Sequence, residues 1–214
     1  MGVISRSVPA MAQHLLGWWQ INGRCDSAQK PWMVNLAGRW PTVTDELDLY
    51  GIWIAEVMLQ QTQLKVVLPY WQRWMEVFPT VDALAAASLE QVRLQWQGLG
   101  YYSRARRLHA AAQRLAQGPW PRDLDSWMGL PGIGRTTAGS ILSSGFNAPL
   151  AILDGNVKRV LARLHAHPRP PAREQVLFWQ WSEVLLDPAR PRDFNQALMD
   201  LGATVCTPRN PDCG

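Results

Sequence analysis

The sequence predicts an all-α protein. Apolar residues recur at helical spacing along most of the 214 residues, and no segment shows the period-two alternation of a half-buried strand. Capping residues, prolines and glycines separate these helical segments. Hydrophobic residues make up 47% of the chain and charged residues 18%, which provides for a core and excludes a chain that is disordered as a whole. No apolar run reaches the roughly 18–20 residues that span a bilayer, so we expect no membrane partner.

The first half of the chain is predicted to hold five helices, after a loose amino-terminal dozen residues and a loop over residues 33–45. Residues 50–64 are apolar on nearly every face, which is typical of a buried helix. Ser88 and Gln91 have the spacing of a capping box. The predicted helices are residues 50–64, residues 66–78, a helix with Asp82 as its N-cap, residues 89–97 and residues 101–117.

The second half is predicted to hold five more helices, separated by a glycine turn at 130–134 and a rigid proline-rich connector at 168–171. Asp123 and Asp154 stand where N-cap residues belong, because their carboxylates accept N–H groups at helix starts. The predicted helices run from Asp123 to Met128, from Arg135 to Ser144, from Asp154 through residues 157–166, and over residues 173–186 and 192–205.

The glycine turn carries a candidate contact to nucleic acid. Gly132 and Gly134 let the backbone turn without a side-chain clash, and N–H groups at the start of the next helix form an anion site. Arg135 adds a positive charge, and residues 101–163 hold nine basic residues against three acidic ones. Such a phosphate contact positions DNA without reading its sequence. The alternative is an ordinary helical corner with a solvated arginine face.

Two carboxylates are candidates for catalysis. Glu56 lies in the most apolar predicted helix, where desolvation raises the pKa of a carboxyl toward the value that suits a general acid. Asp154 occupies a helix N-cap, which favours its ionised form. The two environments are therefore predicted to push the two pKa values apart. The alternatives are a buried Glu56 that is satisfied by a helix end or an arginine, and an Asp154 that is only a cap.

Five sequence blocks resemble a known family. VMLQQTQ, GLGYYSRAR, LPGIGRTTAG, ILDGNVKRVLAR and FNQALMDLGATVC stand in order within residues 52–213 and are similar to the A/G-specific adenine DNA glycosylase (MutY) family of the helix-hairpin-helix glycosylases. The resemblance implies two helical lobes with an active-site cleft between them. It implies a six-helix barrel with the hairpin over residues 46–150, and a second lobe from residues 1–45 plus 151–214 with an incomplete iron–sulfur module at its carboxyl end.

The resemblance also implies a reaction. A monofunctional base-excision-repair glycosylase would flip an adenine that is mispaired with 8-oxoguanine or guanine out of duplex DNA and hydrolyse its N-glycosidic bond. Glu56 would protonate the base, ionised Asp154 would stabilise or trap the sugar cation, and Asn156 would orient Asp154. The further contacts that the resemblance implies are Trp32 in the base pocket, Gln196 reading adenine, and Gln61, Leu99 and Tyr101 as the wedge in the duplex.

Two departures from the expected motifs bear on the chemistry. Thr136 stands where the endonuclease III relatives carry a lysine for Schiff-base chemistry, so strand cleavage is not expected. The family binds a [4Fe–4S] cluster through C-x6-C-x2-C-x5-C; Cys206 and Cys213 have the first spacing, and the sequence then ends at Gly214. A cluster takes four thiolates. We therefore expect a fragment or a natural truncation that does not retain the cluster and is frayed from about residue 205.

Four functions remain open on the sequence; the fourth, an all-α scaffold or interaction protein whose arginine-rich face is only solvated surface, would leave the hairpin and both carboxylates as accidents. The expected one is a monomeric intracellular glycosylase, cytoplasmic at a bacterial nucleoid, that acts on double-stranded DNA with A:8-oxoguanine or A:G mispairs. The first alternative is an endonuclease III-like glycosylase, against which the QQTQ and DGN blocks and the absent lysine argue. The second is a non-catalytic DNA-binding remnant of the fold; the retained Glu56 and Asp154 argue against it, and the short carboxyl end favours it.

Overall fold

The computed structural model describes residues 8–212, and the regular secondary structure within that range is helical, without a β-strand. The all-α prediction is therefore confirmed. Two short 3₁₀ helices, Pro31–Met33 and Pro171–Arg173, lie in connections. The α-helices of these residues are α1 (Val8–Asn22), α2 (Leu49–Leu59), α3 (Leu64–Val77), α4 (Val81–Ala86), α5 (Leu89–Trp96), α6 (Ser103–Leu115), α7 (Leu124–Met128), α8 (Arg135–Phe146), α9 (Gly155–Leu164), α10 (Gln175–Leu185) and α11 (Pro191–Thr204).

Helix starts follow the predicted capping residues with one exception. Both hydrogen bonds of the capping box at Ser88 are present, and the carboxylates of Asp123 and Asp154 cap α7 and α9. Thr80 caps α4 instead of Asp82, because its hydroxyl accepts the N–H of Ala83 and places Asp82 in the first turn.

Helix α1 begins earlier than the sequence predicts. The predicted loose dozen covers residues 1–7, which lie outside the described residues, and residues 8–12, which are helical. Ala12 and Leu16 on this helix are 5% and 4% exposed, and they join the hydrophobic cluster that α9, α10 and α11 form. The prediction was therefore wrong from residue 8 onward, since the apolar face of α1 has a partner.

Two other boundaries differ from prediction at functionally interesting positions. Helix α2 ends at Leu59 instead of residue 64, and Gln61 has a left-handed φ of 59°. Helix α6 begins at Ser103 instead of residue 101, and Tyr101 has a φ of 48°. A left-handed residue breaks a right-handed helix, so both residues lie in loops.

Buried hydrophobic residues form two clusters. The first surrounds α2, whose Ile52, Trp53 and Ile54 are fully buried, and it includes residues from α3 to α8. The second combines α1, α9, α10 and α11. Trp32 and Met33, from the segment that the prediction places in the second lobe, pack in the first cluster, and the two-lobe arrangement stays a prediction, as do the lobe boundaries.

One buried arginine holds the loop over residues 33–48 in place through hydrogen bonds. Arg192 on α11 is 1% exposed, and it donates to the carbonyl oxygens of Thr42 at 2.7 Å and Asp45 at 2.6 Å, and to that of Ser144 on α8 at 2.7 Å. Because these bonds satisfy a buried guanidinium, the loop has a fixed place beside α8 and α11. Among residues 8–212, no helix has both the length and the apolar character needed to cross a bilayer.

Candidate active site

Glu56 is the acidic residue of α2, a helix that is otherwise almost fully buried. The residues on either side of it are buried, whereas Glu56 is half-buried. Burial raises the pKa of Glu56 to about 7; the Ser140 hydroxyl and the Lys30 ammonium oppose this shift, and the Asp154 carboxylate adds to it. A substantial fraction of Glu56 is therefore protonated at neutral pH, as a general acid requires.

Asp154 caps α9 with both oxygens engaged. Its Oδ1 accepts the Val157 N–H at 2.7 Å, and its Oδ2 accepts the side-chain amide of Asn156 at 3.2 Å. Arg159 Nη2 donates to Asn156 Oδ1 at 2.8 Å and orients that amide. Burial raises the pKa of Asp154, although the donors from Val157 and Asn156 oppose the shift. The prediction of a lowered pKa for Asp154 was therefore wrong in direction, since desolvation outweighs the effect of the cap. Asp154 differs from Glu56 in having a set of donors that hold its anion.

Helix α8 lies between the two carboxylates. Thr136 lies in the first turn of α8, and its hydroxyl Oγ1–H donates to the carbonyl oxygen of Leu153 at 3.2 Å. Leu153 directly precedes Asp154. One turn later on α8, Ser140 is 2% exposed and lies close enough to Glu56 to lower the pKa of that carboxyl. The Ser140 Oγ makes no hydrogen bond of ordinary geometry with the described residues. Adjacent turns of α8 therefore position both carboxylates, and a buried hydroxyl is available beside Glu56.

Gly202 on α11 allows the close approach that places Asn156. A Cβ at this position would lie 2.6 Å from the Cβ of Asn156 and 3.1 Å from its backbone atoms. Any side chain at residue 202 would therefore displace the start of α9 and the Asn156–Asp154 hydrogen bond. The sequence analysis missed this residue, because a glycine inside a helical segment shows its purpose only when the neighbouring helix is known.

The glycine turn has the predicted form, and its two glycines differ in purpose. Gly132 has a φ of 83°, and a Cβ on it would lie 3.0 Å from the Cβ of Arg107. Gly134 is the extended N-cap of α8 and has open space around it. The Arg135 guanidinium pairs with the Glu183 carboxylate of α10 and lies 4.0 Å from the centre of the Trp179 ring, so its predicted contact with phosphate stays a prediction. A contact from Arg135 to phosphate would exchange that ion pair.

The predicted wedge residues divide into an exposed pair and a buried residue. Gln61 and Tyr101 are exposed, each in a loop and each with a left-handed φ. Leu99 is 5% exposed and packs in the first hydrophobic cluster. The structure therefore brings Gln61 and Tyr101 to the surface and places the apolar Leu99 side chain in the core.

Arg104 joins the two loops that carry the exposed pair. Its guanidinium is buried and donates to the carbonyl oxygens of Met58 at 2.9 Å and Leu99 at 3.0 Å, and also to that of Gln60. It lies 5.4 Å from the centre of the Tyr101 ring. Sequence reasoning counted Arg104 with the phosphate-facing basic residues, which was wrong because its side chain points into the protein.

Trp32 and Gln196, the predicted base-pocket residues, both lie in the interior. Trp32 is 6% exposed, and its ring centre lies 5.5 Å from that of Trp71. Gln196 is 3% exposed; its Oε1 accepts a hydrogen bond from Lys30 Nζ at 2.7 Å, and its Nε2 lies 3.5 Å from Ser144 Oγ. A role for either residue in holding a base stays a prediction.

Lys30 belongs to a buried polar network that the sequence analysis did not anticipate. Besides Gln196, its ammonium donates to Asp200 Oδ1 at 3.0 Å. Burial lowers the pKa of Lys30, and Asp200 opposes that shift. Burial acts to raise the pKa of Asp200, but the cations of Lys30 and Arg24 outweigh it and hold that pKa below its ordinary value. Trp19 Nε1 completes the network with a hydrogen bond of 3.0 Å to Asp200 Oδ2.

The helical arrangement around Glu56 and the glycine turn matches a family model. Residues 54–182 match the HhH-GPD superfamily of base excision DNA repair proteins. The chain belongs to this superfamily. The match contains α2 from Ile54 onward, the glycine turn, α8 and the Asp154 cap, and so it covers both carboxylates.

Curated relatives of this HhH-GPD chain carry the name adenine DNA glycosylase. The relative from Mus musculus is 44% identical over 96% of the chain, and the one from Homo sapiens is also 44% identical over 96%. The relative from Buchnera aphidicola subsp. Baizongia pistaciae is 39% identical over 94%. The resemblance that the sequence blocks indicate is confirmed. The chain spans 40%, 38% and 54% of these relatives' own lengths, respectively.

Solved structures share the fold of this HhH-GPD chain at low sequence identity. A thermostable thymine-DNA glycosylase has a TM-score of 0.81 at 23% identity, with 97% of this chain and 91% of that chain covered. A non-covalent endonuclease III–DNA complex has a TM-score of 0.75 at 20% identity, with 98% and 90% covered. These comparisons confirm the helix-hairpin-helix glycosylase fold.

The carboxyl end is folded as far as it is described. Arg159 Nε donates to the Cys206 carbonyl at 2.7 Å, and Arg163 Nη1 donates to the Thr207 carbonyl at 2.8 Å and lies 3.2 Å from Cys206 Sγ. The expected fraying was therefore wrong for residues 205–212, because two α9 arginines bind this segment. Cys213 lies outside the described residues.

The thiols of this chain do not fit a complete [4Fe–4S] set. The sequence has three cysteines, and a cluster takes four thiolates. Cys25 lies near Lys30 and Asp200, where burial raises the pKa of its thiol to about 11, opposite to what a thiolate ligand needs. Cys206 and Cys213 stay candidate ligands by their spacing. The reaction that Glu56 and Asp154 can carry out does not involve a cluster.

Proposed function

We propose that this chain is a monofunctional DNA glycosylase that removes adenine mispaired with 8-oxoguanine or guanine from double-stranded DNA. The observation that carries the proposal is the pair of carboxylates: Glu56 with a pKa of about 7 and Asp154 held by two donors, close enough for the charge of one to act on the other. Family membership and the names of the curated relatives support the choice of adenine.

Glu56 acts first as the general acid. A protonated carboxyl donates to a ring nitrogen of the flipped adenine, so the electrons of the breaking N-glycosidic bond leave on a neutral base. After departure of the base, Glu56 is a carboxylate and accepts a proton from the attacking water. The desolvated site of Glu56 suits both steps, since a pKa of about 7 lets the group exchange its proton near neutral pH.

Asp154 stabilises the positive charge that develops on the sugar. Its carboxylate carries a negative charge in a buried place, where electrostatic interactions are strong because water is excluded. Val157 and Asn156 hold both oxygens in one orientation, and Arg159 holds Asn156. The carboxylate therefore stabilises the oxocarbenium-like cation, or bonds to it until water replaces it, as in two-carboxylate glycoside hydrolysis.

Strand cleavage is not part of the proposed reaction. A bifunctional enzyme needs an amine that forms a Schiff base with the abasic sugar. Thr136 occupies the corresponding position, and its hydroxyl is bonded to the Leu153 carbonyl. This observation disfavours the endonuclease III-like alternative.

The duplex is proposed to lie across the glycine turn and the exposed pair Gln61 and Tyr101. N–H groups at the start of α8 and the exposed arginines of α6 meet phosphates, and Tyr101 stacks on a base beside the extruded adenine. A planar ring in the duplex replaces part of the stacking that is lost on flipping. The chain is proposed to act as a monomer on such DNA.

The test is a single-turnover excision assay on duplexes with A:8-oxoguanine, A:G and A:T pairs. Alkali should reveal abasic sites at the first two pairs, and no cleavage should occur without alkali. Glu56→Gln should abolish excision, whereas Glu90→Gln, a change of an exposed glutamate on α5, should leave it unchanged. Equal rates for wild type and Glu56→Gln, or cleavage without alkali, would contradict the proposal.

A further inference from the structure

The buried lysine beside Gln196 fixes the direction of the Gln196 side-chain amide. An ammonium has three donors and no acceptor, so the group that faces Lys30 Nζ at 2.7 Å has to be the carbonyl oxygen of the amide. The reversed amide would place an NH₂ group against a buried cation. The structure thus distinguishes the two ends of a side chain that is otherwise nearly symmetric.

The NH₂ group at the other end of the Gln196 amide has donor capacity for a ligand. Among residues 8–212, the hydrogen bond that Gln196 Nε2 donates is to Ser144 Oγ at 3.5 Å, which is at the long limit of a hydrogen bond. Its oxygen keeps a second lone pair after the bond from Lys30. Gln196 can therefore present an N–H donor and an oxygen acceptor to a ligand, in an order that Lys30 sets.

The amide stands one helical turn from the general acid. Ser140, beside Glu56, and Ser144, beside Gln196, are four residues apart on α8, which corresponds to roughly 6 Å along the helix at 1.5 Å per residue. A purine that receives a proton from Glu56 at one edge can therefore reach the Gln196 amide with another edge.

We propose that Lys30 is a specificity-determining residue, because it locks the Gln196 amide in the direction that matches adenine and mismatches a 6-oxopurine. Adenine presents an amino donor at carbon 6 next to a ring-nitrogen acceptor, which an amide pairs with through its oxygen and its N–H. Hypoxanthine and guanine present an acceptor at carbon 6, and a reversed amide would suit that group. This inference rests on the proposed function, and it adds how the base is selected.

Removal of the Lys30 ammonium should reverse the amide. Asp200 Oδ1, which accepts from the same Lys30 ammonium, remains in the network, and a carboxylate attracts the NH₂ end of an amide. Asp200 keeps its bonds from Arg24 and Trp19, so the substitution does not leave the carboxylate unpaired. Lys30→Met removes the charge with a side chain of similar length.

The experiment compares single-turnover excision of adenine and of hypoxanthine, each opposite the same base in the same duplex. The proposal expects Lys30→Met to lower the adenine-to-hypoxanthine rate ratio by about tenfold or more, the discrimination expected of one bidentate amide pair. Arg24→Met is the matched control: it removes the other cation of Asp200 without touching Gln196, and its ratio should equal that of the wild type. An unchanged ratio in Lys30→Met, or an equal loss in both variants, would overturn the proposal.

Two further measurements keep the test decisive. If Lys30→Met does not fold, NMR of the wild-type protein shows the amide direction: the Gln196 NH₂ protons should give stronger nuclear Overhauser effects to the Ser144 β-protons than to the Lys30 ε-protons, and the reverse order would overturn the proposal. If the wild type excises neither base, the proposed function fails. The ratio of binding constants for duplexes with cleavage-resistant 2′-fluoro adenosine or inosine then tests Lys30 by the same criterion.

Discussion

Replacement of Glu56 by glutamine should abolish excision and at the same time make the protein more stable at alkaline pH. The folded protein holds the proton of Glu56 up to a pH of about 7, whereas an ordinary glutamate releases it at 4.5. Between these values the folded state binds more protons than the unfolded state, so the free energy of unfolding falls as the pH rises. Glutamine has no charge to bury and escapes this loss.

The size of the effect follows from the shift of the pKa. The difference between 4.5 and about 7 corresponds to about 3–4 kcal/mol at roughly 1.4 kcal/mol per pKa unit. This figure is an upper limit, because Glu56 is half-buried and solvent that reaches the carboxyl screens its charge. Below pH 4.5 the two proteins should be equally stable, and above about pH 7 the gain should be constant.

The assay is urea unfolding of wild type and Glu56→Gln at pH 4, 6 and 8, together with single-turnover excision. The rate of the wild type should fall above pH 7 as Glu56 loses its proton, whereas the variant should be about 10²–10⁴-fold slower at pH 6 and should show no such fall. Glu90→Gln serves as control for an exposed carboxylate. A variant that is less stable than the wild type at pH 8 would refute the reasoning, since Glu56 would then be a favourably ionised group.

Gly202→Ala should slow excision strongly and destabilise the fold, because its Cβ would lie 2.6 Å from that of Asn156. Gly17→Ala on α1, where a Cβ meets nothing within 4 Å, is the control for helix propensity. Equal activities of the two variants would contradict the clash. Arg104→Met should leave buried loop carbonyls without donors, which should lower the free energy of unfolding by about 1–3 kcal/mol for each carbonyl. It should also weaken DNA binding more than a change of the exposed Arg106. Unfolding titrations measure the first effect and binding titrations the second. Iron and sulfide analysis of the purified 214-residue chain should find no stoichiometric [4Fe–4S] cluster, since three thiols fall short of four ligands, and a full cluster would show that chains share one.

Local patterns predicted the parts of the molecule that depend on neighbours in the sequence. The Ser88 capping box and the Asp154 cap involve residues two or three positions apart, so the sequence alone indicates them. The burial of Glu56 followed from the apolar residues of α2 on both sides of it. The hairpin and both carboxylates were therefore identified before their contacts were known.

Contacts between distant segments were beyond the sequence. Lys30 and Gln196 are 166 positions apart, and nothing near Lys30 indicates that its ammonium is buried. Arg104 is different, because it stands four residues before Leu108 and seven before Ala111 on the apolar face of α6, where a buried position could have been inferred. The prediction that Arg104 faces phosphate rests on its charge alone and neglects its position on the helix.

If the chain acts on DNA as proposed, the two loops that Arg104 joins have a consequence for how it would search a duplex. Gln61 and Tyr101 are held in left-handed conformations that non-glycine residues avoid in a flexible chain, so the surrounding structure fixes them before any ligand arrives. The conformational entropy of these loops is thus lost on folding and not at each encounter with the duplex. Preorganised side chains of this kind can probe one base step after another without rearranging. Under the proposed function, we therefore expect the rate of interrogation to be limited by deformation of the DNA and not by closure of the protein.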